Sequence, residues 1–489
     1  MMGRSMLAYL PVNLANILTA FGTIVILTRL LEPAEFGIYA IAMITLQFTH
    51  MSLFTWLEAA MARFQARAER ENDVASHLKT LYRLGVYTGI AAFPFIMAML
   101  WLLPLDDRLA YVLVFALCSG SIQVLFNLGM EAHKAAHRIK RYSVAYSSQT
   151  VLSFTIGLFF VLFTPLREAG PYMGIIIGLI LVGIIDGLFM LKRMKGGKYS
   201  ANKARTYAVY GLPLCIGLLL SYALNSIDAY LILAIKGAAA AGEYNAGYNL
   251  ANRSLETLFV WISMAITPVA ITAMEKEGTE KAQLILKDYA ATLMWLAFPA
   301  ATGIALVATD AGFILGEGVR DVAVAIMPGI AMAGLINGLM TYYVHRAFML
   351  SGKTHKYVWA LVVPVILNIG LNLWLIPIYG LMGAVWATVI CYAIAIVIAT
   401  LLARQDYPLP LPIRAGFEIL IACAAMSAAV LALPLDKMTP GFITLMIKAV
   451  TGALVYLLVC WIINAANCRH VIRTMKQKFA SSPVMEPAE

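Results

Sequence analysis

Of 489 residues, 61% are hydrophobic and only 13% are charged. A soluble chain carries roughly a quarter charged residues; with a mean hydropathy of +0.81, this composition excludes an ordinary water-surrounded domain. The formal net charge of +10 falls in short loops rather than on one face, which excludes a nucleic-acid partner and points to anionic membrane lipid.

Apolar runs long enough for the ~20 residues of a membrane crossing recur along nearly the whole chain. Spans are predicted at 6–30, 36–62, 82–103, 109–132, 143–163, 172–191, 206–236, 243–273, 285–308, 320–349, 357–376, 380–403, 415–433 and 441–464. The first follows Arg4 and resembles a signal sequence, but it lacks a small-residue cleavage site and is expected to be retained. The runs are continuously apolar, whereas barrel strands alternate, and lipid leaves no backbone group unsatisfied. An all-α polytopic membrane protein with about 14 transmembrane helices is therefore predicted.

Basic residues follow the same count. Alternate loops, including Arg63 to Arg83, Lys134 to Arg141 and Lys192 to Arg205, hold 28 of the 36 lysines and arginines. The other loops hold only Arg29, Arg108, Arg167, Lys236, Arg320 and Lys437. Under the positive-inside rule both termini are expected in the cytoplasm. Five of the six cysteines (Cys118, Cys215, Cys391, Cys423 and Cys460) fall within spans, so no disulfide or metal framework is implied. Gly352-Lys353-Thr354 ends like a phosphate loop, but Ala347 replaces the required first glycine and no strand precedes it. No nucleotide domain, zinc spacing or nucleophile elbow is present, so neither an enzyme nor a cofactor is expected.

The chain repeats itself. Gly37-Ile38-Tyr39 at the second span returns as Gly242-Glu243-Tyr244 at the eighth; Lys140-Arg141-Tyr142 returns as His355-Lys356-Tyr357; and Pro165, Gly170 and Gly174 are echoed by Pro377, Gly380 and Gly383. The offsets are similar and in order, as in transporters built from repeated halves. Two pseudo-symmetric six-helix lobes, 1–200 and 201–405, are predicted, followed by a transmembrane hairpin at 406–465 and a cytoplasmic tail at 466–489.

The segment Thr28-Arg29-Leu30-Leu31-Glu32-Pro33-Ala34-Glu35-Phe36-Gly37-Ile38-Tyr39 resembles the first-loop signature of polysaccharide flippases. These form the Wzx-like branch of the multidrug/oligosaccharidyl-lipid/polysaccharide exporter superfamily. Asn368 to Asn372 with Ile376-Pro377-Ile378-Tyr379-Gly380-Leu381-Met382-Gly383-Ala384 resembles the hairpin between that family's eleventh and twelfth spans. Physically, Pro377 should stop one helix, Gly380 turn the chain, and Gly383-Ala384 let the next helix pack closely.

Polar residues recur at helical spacing within the spans. The eighth span carries Asn245, Asn249, Asn252, Arg253 and Glu256; the seventh, Ser221, Asn225 and Asp228; the second, Gln47, His50, Phe54 and Glu58. The fourth carries Ser119, Gln123, Asn127 and Glu131, and the eleventh Asn368 and Asn372. One reading is a hydrated cleft between lobes. The other is that each amide bonds only a neighbouring helix, worth roughly 0.6–2 kcal/mol, and that Arg253 and Glu256 form an internal ion pair. Glu131 and Asp186, near span ends, are expected to snorkel to the interface. Lys448 is open between snorkelling and substrate contact.

The resemblance implies a flippase that moves a polyprenyl-diphosphate oligosaccharide across the bacterial inner membrane for surface polysaccharide, by ion-coupled alternating access. Polysaccharide polymerase machinery is a further expected partner. Arg29, His50, Arg253, Asn249 and Asn252 are the expected substrate contacts. Asp228, Glu58 and Glu256 are expected to carry a coupling proton or sodium ion, since a buried carboxylate readily takes up a neutralising cation. The alternatives are a multidrug antiporter of the same superfamily and a membrane polysaccharide polymerase or ligase.

Overall fold

The computed structural model describes residues 2–102, 106–435 and 438–469. Lys437 and, from residue 470 onward, the expected tail lie outside the described residues. The chain opens with α1 (Met2–Leu30), α2 (Pro33–Leu53), α3 (Thr55–Arg70) and α4 (Val74–Leu102). α5 (Asp107–Ala135), α6 (Ile139–Phe163) and α7 (Gly170–Met194) precede the long helices α8 (Ala201–Lys236) and α9 (Ala238–Glu277). Next come α10 (Thr279–Leu306), the single turn α11 (Ala308–Ala311) and α12 (Glu317–Leu339). A π-helical turn at Met340–Val344 leads to α13 (Arg346–Leu350), α14 (Thr354–Tyr379), α15 (Leu381–Arg404), α16 (Ile413–Leu431) and α17 (Phe442–Ile463).

No strand occurs among the described residues, and the all-α polytopic fold is as expected. Each of the fourteen expected spans falls on helix. Twelve segments meet the length and apolarity of a crossing among the described residues; the third and eighth expected spans fall on α4 and α9, of 29 and 40 residues.

The second expected span, 36–62, is divided. Its start is encoded locally: Pro33 occupies the first turn, where its missing N–H costs nothing, and Glu32 and Glu35 form a reciprocal capping box. The helix then breaks at Phe54, whose φ of −121° leaves the helical range. Trp56 Nε1 donates to the Leu53 carbonyl at 3.0 Å across the break. Pro377 does not itself end its helix, which runs on to Tyr379; Gly380, at φ +60°, makes the turn.

The residues group into two compact units. One comprises Met1–Ala246, Leu315–Val319 and Val365–Ala384; the other comprises Gly247–Ile314, Arg320–Pro364 and Val385–Glu489. In the first, Phe54, Leu57, Met61, Leu78, Leu81, Leu128 and Met190 form a buried core. Elsewhere in that unit α6 and α7 approach too closely for side chains: a Cβ on Gly174 would run into the Ser153 carbonyl and the Gly157 backbone. Such small-residue contacts replace the hydrophobic drive that lipid cannot supply. In the second unit, the α16–α17 hairpin packs on α10 through Ile419, Ala422, Met426, Tyr456 and Cys460. Tyr456 donates its hydroxyl to the Trp295 carbonyl at 2.7 Å.

Candidate functional site

Asp228 is the most enclosed of the expected ion-coupling carboxylates, at 1% exposure. Asn372 Nδ2 donates to its Oδ1 at 2.8 Å, and the Tyr244 hydroxyl donates to its Oδ2 at 3.1 Å. The same Asn372 amide also reaches the Asn368 carbonyl at 2.9 Å and Oδ1 at 3.1 Å. Asn368 and Asn372 are themselves fully buried, and Asn372 Oδ1 has no hydrogen-bond partner. The stripes predicted on the seventh and eleventh spans therefore meet. Together they bury one carboxylate whose two oxygens each accept a hydrogen bond, from an amide N–H and a phenol O–H, an arrangement that steadies the carboxylate in its charged form.

His50 and Glu58 also meet. His50 Nε2 lies 2.9 Å from Glu58 Oε1, and Asn127 Nδ2 donates to the same oxygen at 2.9 Å. Eight residues of unbroken helix rise about 12 Å, so the interruption at Phe54 is what lets the pair close. The spacing that suggested a common helical face was right about proximity for a different reason.

On α9, Asn245 turns inward and donates to the Ala241 carbonyl at 2.8 Å. Asn249 and Asn252 are half-buried, while Arg253 and Glu256 are 56% and 46% exposed and separated by 3.8 Å. This ion pair is loose and open, unlike a packed internal bridge. A guanidinium exposed within a span faces water at much lower cost than lipid. Arg29 ends α1 with an exposed side chain.

Sequence reasoning missed a second polar centre around the capping box. The buried carboxylate of Glu35 receives Arg108 Nη2 at 2.7 Å and Arg167 Nη2 at 2.6 Å. Arg108 Nε continues to buried Glu168 at 2.5 Å. Arg108 and Arg167 were visible only as sparse charges in the expected outward loops. Beside them Gly37 and Gly242 abut: a Cβ on Gly37 would strike the Ala238 carbonyl, and one on Gly242 the Pro33 carbonyl. Gly316 donates its N–H to Thr28 Oγ1 at 3.1 Å and leaves no room for a side chain.

Two expectations near span ends change. Asp186 does not snorkel: it is 4% exposed, with His133 Nε2 at 2.9 Å and Arg141 Nε donating at 3.0 Å. Lys448 donates to buried Asp310 Oδ2 at 2.6 Å within the second unit.

Residues 2–274, more than half of the chain, match the family described as "Polysaccharide biosynthesis protein". A protein of Klebsiella pneumoniae described as "Uncharacterized membrane protein in cps region" is 23% identical over 311 residues, 61% of this chain. The chain spans 61% of that relative's length. The solved structure of lipid II flippase MurJ in an inward closed conformation superposes with a TM-score of 0.72 at 15% identity, covering 96% of this chain and 100% of that one. An inward-facing multidrug resistance MATE family transporter of the MOP superfamily gives 0.62 at 14% identity, covering 81% and 97%. These likenesses establish the fold, and the expected resemblance is borne out. This chain is a multi-pass membrane protein that belongs to the polysaccharide biosynthesis protein family.

Proposed function

We propose that the protein is a flippase that moves a polyprenyl-diphosphate oligosaccharide across the bacterial inner membrane for surface polysaccharide assembly. The observation that carries this reading is that a chain of the polysaccharide biosynthesis family shares its fold with a lipid flippase over 96% of its length. The multidrug transporter covers 81% of this chain, which favours the flippase over the drug antiporter. Transport rather than catalysis follows, with polysaccharide polymerase machinery as the consumer of the delivered lipid.

In this reading 1–200 and 201–405 act as the pseudo-symmetric lobes. The Gly37–Gly242 and Thr28–Gly316 contacts form an outward seal, which must part for release. Arg29, His50 and Arg253 attract the diphosphate, with Asn249 and Asn252 beside it. Asp228, the most enclosed of the three expected carboxylates, is the favoured site for the coupling proton or sodium ion; Glu58, held by His50 and Asn127, and open Glu256 are second choices. Both termini lie in the cytoplasm. The test is the sidedness of labelled lipid-linked glycan in vesicles from deletion and complemented cells. Glycan trapped on the inner leaflet only in the deletion strain supports the reading; equal sidedness in both strains removes it.

A further inference from the structure

The first unit holds a cavity of about 240 Å³ among α1, α2, α5, α6 and α7. Its polar lining includes Thr23, Gln47, Gln123 and Thr150, with the aromatic residues Tyr39 and Tyr146 beside them. No lining residue is charged.

Two features set this cavity apart from ordinary interhelical polar packing. First, neighbouring polar groups are satisfied within the protein: Gln149 Nε2 donates to Ser153 Oγ at 3.0 Å, and Thr19 Oγ1 donates to the Ala15 carbonyl at 2.8 Å. Thr23, Gln47, Gln123 and Thr150 are different: none hydrogen-bonds another protein group among the described residues. Both glutamine side chains are only partly buried, so on two neighbouring helices their amides stay available to a molecule that enters the cavity. Second, the two glutamines lie on α2 and α5 and line the same cavity. Each offers two donors and one acceptor, which suits a pair of neighbouring hydroxyls that both donate and accept.

The absence of charge argues against a diphosphate or a cation as occupant. The volume lies below the roughly 300–1,000 Å³ of sites that enclose drug-sized ligands, so the space suits one ring rather than an oligosaccharide. Tyr39 and Tyr146 add aromatic surface to the lining, and aromatic rings pack well against the C–H groups of such a ring.

We infer that this cavity binds a single uncharged sugar ring through the side-chain amides of Gln47 and Gln123. The inference deepens the flippase reading, and rests on it in identifying that ring as part of the transported glycan. Phosphate attraction and sugar recognition then belong to different residues, and the cavity contributes to selection among glycans.

The test is ligand-observed saturation-transfer NMR on the purified full chain in nanodiscs, using glucose, galactose, N-acetylglucosamine and rhamnose at millimolar concentration. At least one sugar should give a signal that is lost in Gln47→Leu/Gln123→Leu and in Thr150→Phe, which fills the cavity from another helix. Both variants should elute as monodisperse protein, so that misfolding is separated from lost binding. No signal from any of the four sugars overturns the inference, as does a signal that survives in either folded variant. Sugar binding by a protein that fails the sidedness assay would instead keep the cavity and remove the transport reading.

Discussion

Gly37 and Gly242 face each other backbone to backbone, and they do so reciprocally: a Cβ built on either lies 2.9 Å from the amide nitrogen of the other. Each would also strike the carbonyl of the residue four positions before its partner, Ala238 in one direction and Pro33 in the other. The glycines are required because any side chain forces the helices apart. Gly37→Val and Gly242→Val should each lower the melting temperature and reduce flipping at least tenfold. Gly187→Ala, whose Cβ meets nothing within 4 Å, should be neutral or slightly stabilising.

Arg253 supports a second prediction. Its ion pair with Glu256 is stretched to 3.8 Å and half-exposed, so removing the arginine leaves no deeply buried orphan. Arg253→Ala should keep a normal melting temperature while flipping falls at least tenfold, the scale of one lost charged hydrogen bond of about 1.5–3 kcal/mol. Arg253→Lys should rescue only in part, because lysine cannot offer the planar two-pronged contact. The Arg253→Ala/Glu256→Ala double variant should remain inactive; full activity there would assign the pair to packing.

The fold was largely legible in the sequence because membrane spans declare themselves by length, apolarity and flanking charge. Gly37 and Gly242 stood out in the sequence as matching positions of a repeat, but that their backbones abut was not legible there. The site was less legible. Asp228 and Asn372 could be placed on polar faces, but their meeting across 144 positions depends on helix packing that no local pattern encodes. The break at Phe54 was hidden, because neither proline nor glycine marks it. The Glu35–Arg108–Arg167–Glu168 network was missed because charges at loop edges look alike whether they are solvated or buried against a partner.

His77 predicts a pH dependence outside the expected spans. Its imidazole is buried, with Nδ1 2.6 Å from the Tyr207 hydroxyl. Burial, reinforced by the nearby Lys203 cation, lowers its pKa to about 4. An unfolded chain takes up this proton from about pH 6.5, whereas the folded protein takes it up only near pH 4. Acidification between those values therefore favours unfolding, by up to about 1.4 kcal/mol per pH unit. The melting temperature should fall across this window, and His77→Leu should flatten the slope even though it also loses the tyrosine contact.

Topology follows from the loop charges. Reporter fusions after Pro165, Gly237 and Glu317 should read outside, and those after Arg70, Lys198 and Glu277 inside. A single reversed fusion would break the alternation from which the cytoplasmic placement of both termini is derived.

The central claim is transport of a lipid-linked glycan, and the most direct measurement uses purified protein in proteoliposomes loaded with labelled polyprenyl-diphosphate oligosaccharide. Loss of label from the starting leaflet should follow time and protein amount, and should quicken under a proton or sodium gradient. Asp228→Asn should abolish that gradient response while leaving the protein folded, since the amide oxygen still accepts from Asn372 and the Tyr244 hydroxyl can turn to accept from the new N–H. Translocation no faster than in protein-free liposomes, under either gradient, would contradict the account.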